Sequence, residues 1–111
     1  IGHAIEAVSG YRLPHGQAVA GGMVGEARIS GRLGFLADGE VARLEGIIKK
    51  AGLPAAMPAG LDIRAVRWAM RHDKKVRQDR PRFVLLKSLG EAFVSDGVDA
   101  ALVEEVLLGG R

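Results

Sequence analysis

A helical apolar period that runs through four glycines constrains this chain most. From His15 to about Arg32, Val19, Met23, Ala27 and Ser30 fall on one helix face, with Ala20 and Val24 beside them. The same stretch holds Gly16, Gly21, Gly22 and Gly25. Each glycine costs roughly 1 kcal/mol relative to alanine inside a helix. A helix that carries so many is expected to use them for the close approach of another backbone or of a ligand. Gly34 then ends it.

The other segments read in the same language. Ile1 to about Ser9 is a helix closed by Gly10 and a short loop from Tyr11 to Pro14. This helix is already under way at the first residue, which predicts a piece of a longer protein. Asp38 is placed to cap a third helix with Val41, Leu44, Ile47 and Ile48 as its buried stripe, Lys49 and Lys50 at its negative end and Gly52 as its stop. Leu53 to Gly60, with Pro54 and Pro58, is a turn-rich connector. Asp62 caps a fourth helix in which Ile63, Val66, Ala69 and Met70 face inward. Arg82 to Lys87 and Glu91 to Ser95 predict two antiparallel strands around a tight turn at Ser88-Leu89-Gly90. Asp96 or Asp99 begins a last helix with Leu102, Val103, Val106 and Leu107 on its apolar face. The expected fold is one mainly α domain over residues 1–111 with a single small β-hairpin.

Composition narrows the classes. At 48% hydrophobic and 26% charged residues the chain is globular, and at 5% aromatic its core must rest on aliphatic side chains. It has no cysteine, so disulfides and thiolate metal sites are excluded, and a reducing, cytoplasmic setting fits. No run reaches the roughly 18 apolar residues of a membrane span, and no signal-peptide pattern is present. The net charge is +3, with half of the 16 basic residues lying between Arg64 and Arg82. Such a block suits a solvated helix face, a phosphate or a nucleic acid. No recognition-helix signature accompanies it, and stacking aromatics are few, so nucleic acid is not the expected partner.

Two histidines are the candidates for chemistry. His15 stands at a predicted helix start behind Pro14, which fixes the approach of the chain. Cations are disfavoured at that end of a helix dipole, so the position suits an uncharged ligand ring. His3 has Glu6 three residues on, within reach on the same helix face to favour its protonated form or to orient its ring. The spacing of His3 and His15 matches no compact metal motif, and the sequence does not show that they meet.

Four blocks in register carry a family resemblance: Gly2-His3-Ala4-Ile5-Glu6-Ala7, Leu13-Pro14-His15-Gly16-Gln17-Ala18-Val19-Ala20, Gly22-Met23, and Met70-Arg71-His72-Asp73-Lys74-Lys75. Together with Gly52-Leu53-Pro54, the Arg82 to Leu86 strand and Leu89-Gly90-Glu91-Ala92, they resemble the C-terminal helical domain of the 3-dehydroquinate synthases across essentially the whole chain. The resemblance implies a shikimate-pathway lyase that converts 3-deoxy-D-arabino-heptulosonate 7-phosphate to 3-dehydroquinate and phosphate. It also implies transient use of NAD, a divalent zinc or cobalt ion, and a cytoplasmic, homodimeric parent. NAD would be bound mainly by an N-terminal α/β domain that these residues lack. Of the family's three metal ligands, a glutamate and a first histidine fall before this sequence, and the second histidine matches His15. His3 matches a histidine that contacts substrate and moves protons. Lys75 or Lys74 matches the lysine that reaches the substrate. Fixed cations around Arg71 to Lys75 suit a phosphorylated sugar acid.

One departure stands out. The family has His-Gly-Glu where this chain has His15-Gly16-Gln17. The change keeps shape and hydrogen bonding but removes a charge near the helix start, which would tune a metal site if the group orients a ligand. Two alternatives follow: a related sugar-phosphate cyclase, or a helical interaction domain without catalysis. With one metal ligand, the 111 residues alone are expected to bind metal weakly and to turn nothing over.

Overall fold

A computed structural model describes residues 1–56, 60–71 and 82–109. In chain order the elements are α1 (Gly2–Val8), α2 (His15–Arg32), α3 (Asp38–Lys50), α4 (Ile63–Arg71), β1 (Phe83–Ser88), β2 (Glu91–Ser95) and α5 (Ala100–Leu107). The mainly α architecture with one hairpin is therefore as expected. The punctuation agrees at α4 and α5 but not at α3. Asp62 Oδ1 accepts from the Arg64 and Ala65 N–H groups at 3.1 and 3.2 Å, and Asp99, rather than Asp96, caps α5 by accepting from Ala101 N–H at 3.0 Å. At α3 the N-cap is Ala37, and Asp38 sits in the first turn with Glu40, where both charges still complement the helix dipole.

α2 is the centre of the molecule, packed against α1, α3, α5 and β1. Its buried residues, among them Ala18, Ala20, Gly22, Val24, Ala27, Ile29 and Ser30, lie on most of its circumference. A helix apolar or small on nearly all sides is an enclosed one. Two cores meet on it. Ile29 joins Ala4, Val66, Met70, Phe83, Leu85, Val103, Val106 and Leu107, while Ala20 and Val24 join Ile48 and Ala55. The α3 stripe is narrower than expected. Ile48 is buried and Leu44 packs beside it, but Ile47 is 52% exposed, because Glu45 takes the inward position instead. Its carboxylate accepts from Arg28 Nε–H at 3.1 Å, and the guanidinium also donates to the Ala55 carbonyl. Each member of this pair is one that water would otherwise claim.

The hairpin leans on α2 through its backbone. Glu26 accepts the Val84 N–H at 2.7 Å and Ser30 Oγ accepts the Leu86 N–H at 2.9 Å. Four helical residues rise about 6 Å, and two strand residues advance nearly the same distance. Side chains one turn apart on α2 thus match alternate N–H groups of β1 and close that edge of the hairpin. On its other edge β1 pairs with β2, Phe83 opposite Ser95 and Val84 opposite Val94, with a register shift between Leu86 and Ser88.

Candidate functional site

Pro14 occupies the N-cap of α2 with φ −54° and makes His15 the first helical residue. The Pro14 carbonyl accepts from the Gln17 and Ala18 N–H groups at 3.0 and 3.1 Å, so the chain enters the helix in one direction. Across from it, α1 carries His3 and Glu6 one turn apart. The two helices touch where neither residue has a side chain. A Cβ on Gly22 would lie 2.8 Å from the Gly2 nitrogen and 3.0 Å from its Cα. Of the α2 glycines expected to allow close approach, Gly22 does so here. At Gly16, by contrast, a Cβ would meet nothing within 4 Å.

This crossing brings His3, the residue after Gly2, and His15 to one cavity of about 460 Å³. On the α2 side the cavity is lined by His15, Val19, Gly22, Met23 and Glu26. Those positions are spaced i, i+4, i+7, i+8 and i+11, a single helix face. Val19 and Met23 are therefore turned to the cavity, at 41% and 45% exposure, and not into either core. Val84 and Val94 of the hairpin add apolar wall, and Arg82 adds a cation. A mostly apolar hollow with a few polar groups converging on it is the ordinary form of a small-molecule site.

Glu6 does not serve His3. Its Oε2 lies 2.5 Å from His15 Nδ1, and its side chain is only 17% exposed against 70% for His15. The expectation that Glu6 orients the His3 ring is corrected: same-face spacing within α1 is outweighed by the arrival of α2 beside it. A carboxylate can only accept, so an ionised Glu6 calls for the hydrogen on Nδ1. An uncharged ring of that tautomer has its lone pair on Nε2.

Glu26 also lines the cavity, and its one signal in the sequence is its helical spacing from His15. Burial raises its carboxyl above the ordinary glutamate range, against the lowering influence of the Val84 N–H it accepts.

Lys74 and Lys75 lie outside the described residues. Met70 and Arg82, which bracket them in sequence, both line the cavity. Among the described residues no three histidine, cysteine, aspartate or glutamate side chains converge as a metal site. His15, with one ring nitrogen engaged and the other holding the lone pair, fits a single ligand position. No helix among the described residues is long and apolar enough to cross a membrane.

The family model described as 3-dehydroquinate synthase C-terminal matches residues 1–76. Over 110 residues the chain is 43% identical to the 3-dehydroquinate synthase of Nostoc punctiforme, covering 98% of this chain and 30% of that protein. It is 46% identical over 105 residues to that of Opitutus terrae, covering 94% and 29%. Among solved structures it resembles 2-deoxy-scyllo-inosose synthase complexed with carbaglucose-6-phosphate, NAD+ and Co2+, with a TM-score of 0.83 and 26% identity over 97% of this chain and 32% of that one. The chain thus spans about 30% of the length of the curated relatives it matches.

Proposed function

The chain belongs to the 3-dehydroquinate synthase C-terminal family, and on that premise we propose that it supplies the metal- and substrate-binding half of a 3-dehydroquinate synthase. The reaction would convert 3-deoxy-D-arabino-heptulosonate 7-phosphate to 3-dehydroquinate with loss of phosphate. When bound, NAD would supply a transient oxidation and reduction, and a divalent zinc or cobalt ion would polarise the sugar hydroxyls.

This chain's residues divide the remaining work. His15 would hold the metal through Nε2. His3, on the facing helix, would take and return protons at the substrate. Arg82 and one lysine of Lys74-Lys75 would hold its anionic groups. The lysine assignment rests on the family match over residues 1–76. The observation that carries the reading is that His3 and His15, far apart for any local motif, open on one cavity. A cytoplasmic, homodimeric parent goes with this reading. The 111 residues alone, with one ligand position, are proposed to be inactive.

A second reading, a related sugar-phosphate cyclase, is favoured by the likeness to 2-deoxy-scyllo-inosose synthase. The higher identity to the dehydroquinate synthases favours the first. One experiment separates them. In the longer protein that carries this domain, phosphate release is measured from the heptulosonate phosphate and from glucose 6-phosphate, with metal content determined in parallel. The expected result is release from the former only. His15→Ala should lose metal and activity together, and His3→Ala should keep the metal and lose about 10²-fold or more in rate. Full activity in both variants would remove the assignment.

A further inference from the structure

We propose that Glu6 is the positioning residue for His15: it fixes which ring nitrogen is free to bind a metal and holds the ring still while it does so. This rests on the reading of His15 as a metal ligand. The geometry comes from the contact of Glu6 Oε2 with His15 Nδ1 at 2.5 Å.

Packing alone does not hold the His15 ring. Its side chain is 70% exposed, at the first position of a helix, where few neighbours restrict rotation. Glu6 is the fixed partner. It projects from α1 between the buried Ala4–Ile5 pair and the turn that closes the helix. Its backbone carbonyl accepts from Ser9 Oγ at 2.7 Å and from the Tyr11 N–H at 3.1 Å. The same residue therefore anchors the loop that leads to His15 and meets His15 at the end of that loop. A histidine ligand commonly donates its second N–H to a carboxylate, which sets tautomer and orientation and raises the basicity of the ligating nitrogen. Glu6 and Nδ1 have that relation. The bland reading is an exposed ion pair, which stabilises little, and it predicts no effect on tautomer or metal.

The test uses two measurements. In the metal-free 111-residue chain, long-range ¹⁵N–¹H NMR correlations report which nitrogen of the uncharged His15 ring carries the hydrogen. The wild type should show it on Nδ1. Glu6→Ala should shift the population towards Nε2–H, and Glu6→Gln, whose amide oxygen still accepts, should retain much of the Nδ1–H form. In the longer protein, zinc and cobalt affinities are measured by chelator competition, with the cobalt absorption spectrum as a signature of the coordination. Glu6→Ala should weaken binding about 10- to 100-fold and alter the cobalt bands, with Glu6→Gln between it and wild type. His15→Ala in the same assay reports on the parent reading. Unchanged affinity there would remove His15 as a ligand, and with it this proposal. Weakened binding in His15→Ala with wild-type tautomer and affinity in both Glu6 variants would overturn the role of Glu6 alone.

Discussion

Gly2 and Gly22 meet backbone to backbone, so close that a Cβ on Gly22 would stand 2.8 Å from the Gly2 nitrogen. A backbone cannot swing aside as a side-chain tip can. Gly22→Ala should therefore force α1 and α2 apart at an overpacking cost of about 1–3 kcal/mol, which exceeds the roughly 1 kcal/mol of helix propensity that alanine gains. The control is Gly46→Ala in α3, where a Cβ meets nothing within 4 Å. Thermal unfolding should show Gly22→Ala less stable than wild type and Gly46→Ala more stable. A stabilised Gly22→Ala would mean that the helices do not cross there.

Ser30 Oγ takes the Leu86 N–H and hands its own hydrogen to the Glu26 carbonyl. Ser30→Ala leaves the strand N–H without that acceptor beside a fully buried position, at a cost of about 1–3 kcal/mol. Amide exchange should localise the effect, with Leu86 losing protection while α3 keeps its own.

Arg28 and Glu45 are buried together between α2 and α3. Glu45→Ala strands the guanidinium and should destabilise by about 3–5 kcal/mol. Replacing both at once, Arg28→Met with Glu45→Leu, should recover most of that loss, because no charge is then left buried. Urea unfolding of Arg28→Met, of Glu45→Leu and of the variant carrying both measures the coupling. Additive losses would show that the pair does not act as one unit.

Glu26 gives the fold a pH dependence of definite sign. Because burial raises its carboxyl, the folded chain binds that proton more tightly than the unfolded chain does. Stability attributable to Glu26 is then fully present below the ordinary glutamate value and is lost as pH rises through the raised one. Glu26→Gln keeps an acceptor for the Val84 N–H and removes the titration. The variant should gain on the wild type as pH climbs through that window, in unfolding free energies measured across the acid range. A Glu26→Gln variant that loses ground to the wild type as pH rises would contradict the assignment.

What the sequence alone determined is local. Asp62 announces a helix start, and Asp96 or Asp99 the last one, because a side-chain oxygen needs only its own next turn to cap. The hairpin is legible because strand and turn chemistry act over a few residues. The resemblance marks His3 and His15 because short blocks in register survive as sequence. What the tertiary structure decided is every pairing across helices. Glu6 belongs to His15 and not to its helix neighbour His3, Ile47 yields the inside of α3 to Glu45, and Val19, Met23 and Glu26 turn to a cavity. Periodicity tells which residues share a face, but a helix with small residues on most sides has several faces fit to bury. Only the crossing at Gly2 and Gly22 selects which of them meets α1, and so which carboxylate reaches the histidine.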